Sequence, residues 1–332
     1  MTFPILTICI ATYNRADYIA ETIESIITQL SDDIELLVVD GASTDDTENV
    51  VRRYAANDER IRYVRLAKKG GVDQDYCKSV ELASGEYCWL FTDDDLLKPG
   101  AVAAVTAAIN YGTSLIVVNA EVCDNKLANI LKPRKIVAYT DKTFASNEME
   151  RLFTEALTHL SFIGAVVIRR DIWLSRESEP YFGTEFVHVG VIFQQPLPGS
   201  ATVIAEPYIS IRYGNGQWKS RGFEVWLFKW PRIVWSFKHI SDKAKRYITR
   251  EKPWLNLAIL VFERGIGAYS IKHYRNNLSQ LPESIFWKIC AYLISRLPEK
   301  ALASLLYIFC RLFMPDKMFL YDLDANRYHL IY

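Results

Sequence analysis

Over its first 125 residues the chain alternates strand-length apolar runs with segments whose apolar residues recur at helical spacing. "ILTICIA" (Ile5–Ala11), "IELLVVD" (34–40), "EYCWLF" (86–91) and "SLIVVNAEV" (114–122) are nearly continuous, as strands buried on both faces require, and "IRYVRL" (61–66) is a fifth, more mixed run. Between them, "DYIAETIESIITQL" places Ile19, Ile23, Ile26, Ile27 and Leu30 on one helical face. "TDDTENVVRRYAA" is a helix with Thr44 or Asp45 as its cap, "DQDYCKSVELAS" a helix stopped by Gly85, and "AVAAVTAAI" a fourth. This βαβα order predicts an α/β, Rossmann-like, mostly parallel sheet with helices on both faces. Ligands of such sheets sit beyond the carboxyl ends of the strands. The polar stretches there are Thr12–Arg15, Asp40–Ser43 and Thr92–Asp95, so three polar loops converge on one edge.

The last of these is the most demanding. "YCWLFTDDD" follows a buried run with three aspartates, where unpaired charge is costly and neighbouring carboxylates repel. A helix N-terminus opened by Pro99 accounts for one or two of them. A hard divalent cation, binding carboxylates and substrate phosphates together, accounts for all three. Asp40 either closes the Gly41-Ala42-Ser43 turn or accepts from a ring N–H of a nucleotide base. Thr12–Arg15 is a turn and cap, or an approach to base and diphosphate. Neither GxGxxG nor GxxxxGK[ST] is present, so the diphosphate charge falls mostly to the cation.

From about Lys126 the pattern loosens, and after Gly222 it turns helical: Phe223–Phe237, Trp254–Arg264, Ser284–Leu297 and Ala301–Phe313. The net charge of zero hides an asymmetry. Residues 219–332 hold 19 Lys and Arg against 9 Asp and Glu, and residues 1–218 hold 20 against 30. An acidic front half suits a metal-dependent site, and a basic rear half an anionic surface. The six cysteines are scattered without a CxxC pair, as in a cytosolic protein with reduced, packed thiols. The N-terminus has the character of a first strand rather than a signal peptide. No run reaches the 18 apolar residues of a spanning helix, so the expectation is a soluble or peripheral, cytoplasmic protein.

"FPILTICIATYNRADYIAETIESI", "ELLVVDGASTDDT" and "GEYCWLFTDDD" together resemble the nucleotide-binding half of family 2 glycosyltransferases, which have the GT-A fold. The resemblance covers about residues 3–120. "GGVDQDYCKSVELA", "FVHVGVIFQQ" and "GNGQWKSRGFEVWLFKWPRIVW" are most similar to abequosyltransferase-like enzymes of O-antigen synthesis. The resemblance implies a metal-dependent, inverting transfer of a sugar from a nucleotide-sugar donor to a saccharide acceptor. It implies that Thr12, Tyr13, Asn14 and Arg15 line the nucleotide pocket, with Asp40 reading the base and Ser43 nearby. Asp93 would contact the ribose, Asp94 would lie near the donor sugar, and Asp95, with Asp93, would hold Mg²⁺ or Mn²⁺. A UDP- or CDP-sugar is the expected donor rather than GDP or dTDP.

An acceptor hydroxyl must also lose a proton, which needs a carboxylate or His across the sugar. The family's Glu-Asp pair corresponds to "YFGTEFVHVGV", which places Glu185 at the base position and Thr184 in place of the first acid. His188, three residues on, shares a helical face with Glu185 if a helix starts there, and is a base, a ligand or a packed side chain. In "YGNGQWKSRG" (Tyr213–Gly222) the functional reading is a lid, with Lys219 or Arg221 reaching phosphate and Trp218 stacking on sugar. Gly71, after Gly70, lets backbone approach the nucleotide, while Asp73 and Asp75 are helix-capping acids. The expected units are residues 1–220, nucleotide-sugar-binding and catalytic, and 221–332, basic, Trp-rich and helical. "IFWKICAYLISRL" and "ALASLLYIFCRLF" have the composition of interfacial helices, which suits a lipid-linked acceptor at the inner face of the cytoplasmic membrane. The same faces would also serve a homodimer. The rivals are a nucleotidyltransferase, whose Gly-rich opening loop is missing from "ATYNRAD", and a non-catalytic nucleotide- or saccharide-binding protein on the same fold. No nucleic-acid-binding motif is present.

Overall fold

A computed structural model of the chain describes residues 4–215 and 221–328. Its centre is a ten-stranded sheet. The first strands and helices alternate as expected: β1 (Leu6–Thr12), α1 (Ile19–Ile27), β2 (Ile34–Asp40), α2 (Thr47–Asn57), β3 (Ile61–Arg65), α3 (Val72–Leu82) and β4 (Tyr87–Phe91). A two-residue β5 (Leu96–Leu97), α4 (Ala101–Ile109) and β6 (Leu115–Cys123) follow. Then come β7 (Ile130–Lys132), β8 (Lys142–Phe144), α5 (Met149–Leu160), β9 (Val166–Arg169), α6 (Arg170–Leu174), α7 (Val187–Phe193) and β10 (Ala201–Arg212).

The spatial order is β3-β2-β1-β4-β9-β6-β10-β5. β3, β2, β1 and β4 are parallel, β9 runs against both β4 and β6, and β6 and β10 are parallel. Six of the long strands therefore point the same way. Their continuous apolar runs follow from burial on both faces. Ile8 and Ile10 of β1 and Trp89 and Phe91 of β4 join one core, under α1 and α4. The intervening Cys9, Cys88 and Leu90 join the other, with α3, α5 and α7. This is the period-two alternation of a strand between two layers. Five of the six free cysteines are buried and the sixth is half-buried.

The order also locates the crevice. The chain leaves β1 toward β2 and β3, then returns to place β4 on the other side of β1. Loops after β1 and β4 thus diverge at a topological switch point.

Beyond β10 the structure is helical, with two departures from the sequence pattern. Phe223–Phe237 is broken into Gly222–Glu224, a π-turn at Val225–Lys229 and Trp230–Ser236. Pro231 lacks the N–H that would bond four residues back, and the widened turn precedes it. Helices at Asp242–Ile248 and Lys317–Tyr328 were not evident from periodicity. Val225, Trp230, Ile233, Val234 and Phe237 join the core on the α3 side of the sheet, so packing continues across residue 220. A separate core gathers Phe223, Leu260, Tyr269, Leu278, Trp287 and Ala291.

Gly85 shows how tightly β1 and β4 are joined. Its N–H donates to Thr7 Oγ1 at 2.8 Å, and a Cβ there would lie 2.5 Å from the Thr7 backbone nitrogen. Backbone cannot yield as a flexible side chain does. Gly85→Ala is expected to cost about 2 kcal/mol of stability, measured as a lowered unfolding midpoint in urea with unchanged slope.

Candidate active site

The loops after β1 and β2 are laced together through side chains. Asn14 adopts the left-handed conformation at φ +54°. Its N–H donates to Ser43 Oγ at 2.9 Å, and its Oδ1 accepts from the Thr44 N–H at 2.7 Å. Arg15 N–H donates to Thr47 Oγ1, and Ala16 N–H to Asp45. Asp45 also accepts from Thr47 N–H at 3.1 Å. It therefore caps α2 from one residue outside the formal cap position. These bonds aim Arg15 at the end of β4.

There Arg15 Nε lies 3.3 Å from Asp93 Oδ1 and its Nη2 lies 3.3 Å from Asp94 Oδ2. Thr12 stands beside Asp93, and Asn215 Nδ2 donates to Asp94 Oδ2 at 3.1 Å. Burial pushes the Asp93 pKa well up, and the neighbouring Asp94 adds to that, while Arg15 opposes both. Asp94 is raised by burial against the pull of Arg15 and Arg212. The site is short of positive charge.

Asp95 is bonded at both carboxylate oxygens. Its Oδ1 accepts the Arg212 N–H at 2.7 Å, its Oδ2 accepts the Thr92 hydroxyl, and its carbonyl accepts from Thr22 Oγ1 at 2.9 Å. Oδ1 thus ties the loop after β4 to β10, and Oδ2 closes that loop on itself. The metal ligands expected from the resemblance are Asp95 and Asp93; Asp95 carries these hydrogen bonds, one on each oxygen, while Asp93 and Asp94 pair with Arg15. Among the described residues no three acidic, imidazole or thiol side chains converge on one point. A cation here would take one or two carboxylates and complete its shell with phosphate oxygens and water, which is how Mg²⁺ is usually held. The excess negative charge at Asp93 and Asp94 fits that arrangement.

Asp40, expected to read the base, is enclosed by its own loop and by β3. It is 0% exposed, and its oxygens accept from Ser43 N–H at 2.7 Å, Tyr63 hydroxyl at 2.6 Å and Arg65 at 3.2 Å. A carboxylate so enclosed closes the turn. Gly71, at φ +92°, stands at the start of α3 with open space around it, so conformation rather than room calls for glycine.

Across the cleft, Glu185 is itself strained, at φ +73°. Asp73 holds it there by accepting the N–H groups of Glu185 at 2.9 Å and Val187 at 3.1 Å. Asp73, expected to cap its own helix α3, caps α7 instead. The Glu185 carboxylate meets Arg221 Nη1 at 2.6 Å and Lys229 Nζ at 3.1 Å. Lys69, which sequence reasoning missed, links the two sides. Its Nζ sits 3.5 Å from the centre of the Tyr13 ring, and its pKa is lowered by burial and by the charges of Arg221 and Arg15. Arg212, Asn215 and Lys229 were also missed, since nothing local marks them. Trp218 and Lys219 lie outside the described residues.

His188 is not among the side chains of the cleft. α7 begins only at Val187, so Glu185 precedes the helix and the two share no helical face. His188 is 1% exposed, and its Nε2–H donates to the Leu160 carbonyl at 2.8 Å. Burial pushes its pKa down to about 4.

The family model described as glycosyl transferase family 2 matches residues 7–176, just over half of the chain. The chain belongs to glycosyltransferase family 2. Abequosyltransferase RfbV of Salmonella typhimurium is 26% identical over 272 residues, which cover 76% of this chain and 82% of that enzyme. The GalNAc(5)-diNAcBac-PP-undecaprenol beta-1,3-glucosyltransferase of Campylobacter jejuni is 34% identical over 110 residues, 33% of this chain and 36% of that one. Among solved structures, S. aureus TarS in complex with UDP-GlcNAc matches with a TM-score of 0.56 and 15% identity, over 97% of this chain and 89% of that one. The mannosyltransferase PcManGT of Pyrobaculum calidifontis, in complex with GDP-Man and Mn²⁺, matches at 0.54 and 14%, over 100% and 89%. At such identities these structures speak to the fold alone, and that fold is GT-A.

The family 2 site therefore has a buried imidazole beside it rather than within it. The unfolded chain protonates His188 near pH 6.5, whereas the folded chain resists until about 4. Stability should fall as pH drops through that window, by about 3 kcal/mol from this residue. His188→Gln, which can still donate to Leu160, is expected to flatten the fall in urea titrations between these pH values. It should keep turnover within about threefold, whereas loss of a catalytic base costs on the order of a hundredfold or more.

Proposed function

We propose that the chain is a metal-dependent transferase that moves a sugar from a nucleotide-sugar donor to a lipid-linked saccharide acceptor in bacterial surface polysaccharide synthesis. The observation that carries this reading is a run of charged groups from the carboxylates after β4 through Arg15, Lys69 and Arg221 to Glu185. Asp93, Asp94 and Arg15 lie at the switch point. Support for the process comes from the relatives, one named as an abequosyltransferase and another as acting on an undecaprenol-linked saccharide.

Asp94 and Asp93 would hold Mg²⁺ or Mn²⁺, which neutralises charge on a leaving diphosphate. Tyr13, Lys69 and Arg15 line the way in and place cationic charge where the nucleotide diphosphate would lie. Arg15 holds the two carboxylates apart from solvent and in fixed orientation. Glu185 is the group able to take the proton from an acceptor hydroxyl. In the resting arrangement it is paired with Arg221 and Lys229, which fix the position of its carboxylate. One base opposite one leaving group suits a single displacement with inversion. With Asp40 committed to its turn, the choice among UDP, CDP, GDP and dTDP belongs to a binding measurement.

Thermal unfolding with each nucleotide, with and without Mn²⁺, makes that choice. One nucleotide at a hundredfold excess over its Kd should stabilise the protein by about 2.7 kcal/mol, only with metal, and not in Asp94→Asn. Glu185→Gln should keep that shift and lose turnover by about a hundredfold or more. A metal-dependent shift with no transfer or donor hydrolysis in the unaltered chain would mark a binding protein instead. No shift with any nucleotide would sink the reading.

A further inference from the structure

The helices Ile285–Arg296 and Glu299–Phe313 both pack inward on the helix Leu257–Gly265. Their inner sides are small or buried: Trp287, Ala291 and Ser295 on one, Ala303 and Cys310 on the other. Their outer sides carry a second apolar stripe that nothing among the described residues covers. Phe286, Ile289 and Leu293 recur at helical spacing on the first helix, and Leu305, Ile308 and Leu312 on the second. Phe286 and Leu312 are 76% and 68% exposed, far more than scattered surface residues need. No helix among the described residues is long and apolar enough to cross a membrane.

The charges around the stripes select the occupant. From residue 284 to 314 the sequence holds Lys288, Arg296, Lys300 and Arg311, against one acid, Glu299. Glu299 is spent internally, pairing with Arg264 at 2.7 Å. Glu283, just before, faces Lys252 at 3.7 Å. Among the described residues the apolar stripes are thus bordered by four cations, while Glu283 and Glu299 are paired and Asp316, just beyond, accepts the N–H groups of Met318 and Phe319. A second copy of the chain would set these same cations against one another across a two-fold interface. An anionic bilayer surface answers both features, taking the apolar stripes at the acyl boundary and the cations at the headgroups.

We propose that this two-helix face docks the protein on an anionic phospholipid surface, lying in the interface without crossing it. The proposal goes beyond the sugar-transfer reading and does not depend on what the cleft binds.

The test is co-sedimentation of the full chain with vesicles of equal parts phosphatidylglycerol and phosphatidylcholine, and with pure phosphatidylcholine. Binding is expected to the anionic vesicles and to be at least tenfold weaker to the neutral ones or in high salt. Phe286→Ser with Leu312→Ser should abolish it without moving the unfolding midpoint, since both side chains already face water. Each of Arg296→Gln and Lys300→Gln should weaken it about fivefold. The nucleotide-induced shift should be unchanged in all of them, which separates this test from that of the cleft. Equal binding to neutral vesicles, or binding that survives the serine changes, overturns the proposal. So does absence of binding. A dimer in sedimentation equilibrium that the serine changes dissociate, with no vesicle binding, would give the face to a second copy.

Discussion

Everything at the edge of this sheet depends on how the negative charge at the end of β4 is held. Three consecutive carboxylates leave water there, and each is answered differently. Asp95 is satisfied by the backbone N–H of Arg212 and the hydroxyl of Thr92. Asp94 and Asp93 share one guanidinium, that of Arg15. Burial outweighs Arg15 and, at Asp94, Arg212 as well, and the pKa values of both carboxylates are raised. Arg15 must in turn be aimed, which explains the positive φ of Asn14 and its bonds to Ser43 and Thr44. The "TYNR" and "DGASTDD" segments are therefore one structural device. Their business is to present Arg15 as much as to touch a ligand.

This explains what could be read from the sequence and what could not. Burial on both faces leaves a mark in every central strand, so the sheet, its helices and the three converging loops were legible. The resemblance to family 2 glycosyltransferases was legible for the same reason, because its motifs are those loops. The hydrogen-bond partners of individual aspartates were not. Asp95 differs from Asp94 only through Arg212, which lies 117 positions away on β10. Asp73 appeared to cap α3, but the N–H groups it accepts belong to Glu185 and Val187. The proposed pairing of Glu185 with His188 assumed helical spacing, and the helix starts two residues too late for it. Lys69 lacked any motif, and only the Tyr13 ring and the fold bring it to the cleft.

The end of β10 joins the cleft to the helical region. Arg212 donates to the Asp94 carbonyl at 2.9 Å and Asn215 to its carboxylate. Between them, the Tyr213 hydroxyl donates to Asp322 at 2.7 Å, and Gly214 lies against the Tyr321 ring. Asp322 also acts at a distance, since with burial it pushes the Glu263 pKa up to about 7. The last helix is thus fastened to the same short segment that contacts the carboxylates. A surface carried by the helical region keeps a fixed relation to the cleft.

That connection gives the charge asymmetry a physical sense. Residues 1–218 carry ten more acidic than basic groups, and the remainder ten more basic than acidic. An acidic cleft is repelled by an anionic bilayer, but the repulsion is screened within about 8 Å at physiological ionic strength. A basic, apolar face on the opposite half overcomes it by contact, where both the hydrophobic and the electrostatic terms are short-ranged and favourable. On this reading the zero net charge is a division of labour: one half concentrates the negative charge that a divalent cation needs, and the other holds that half near an acceptor that cannot leave the membrane. Spreading the same charges evenly over the chain would weaken both interactions while leaving the fold intact.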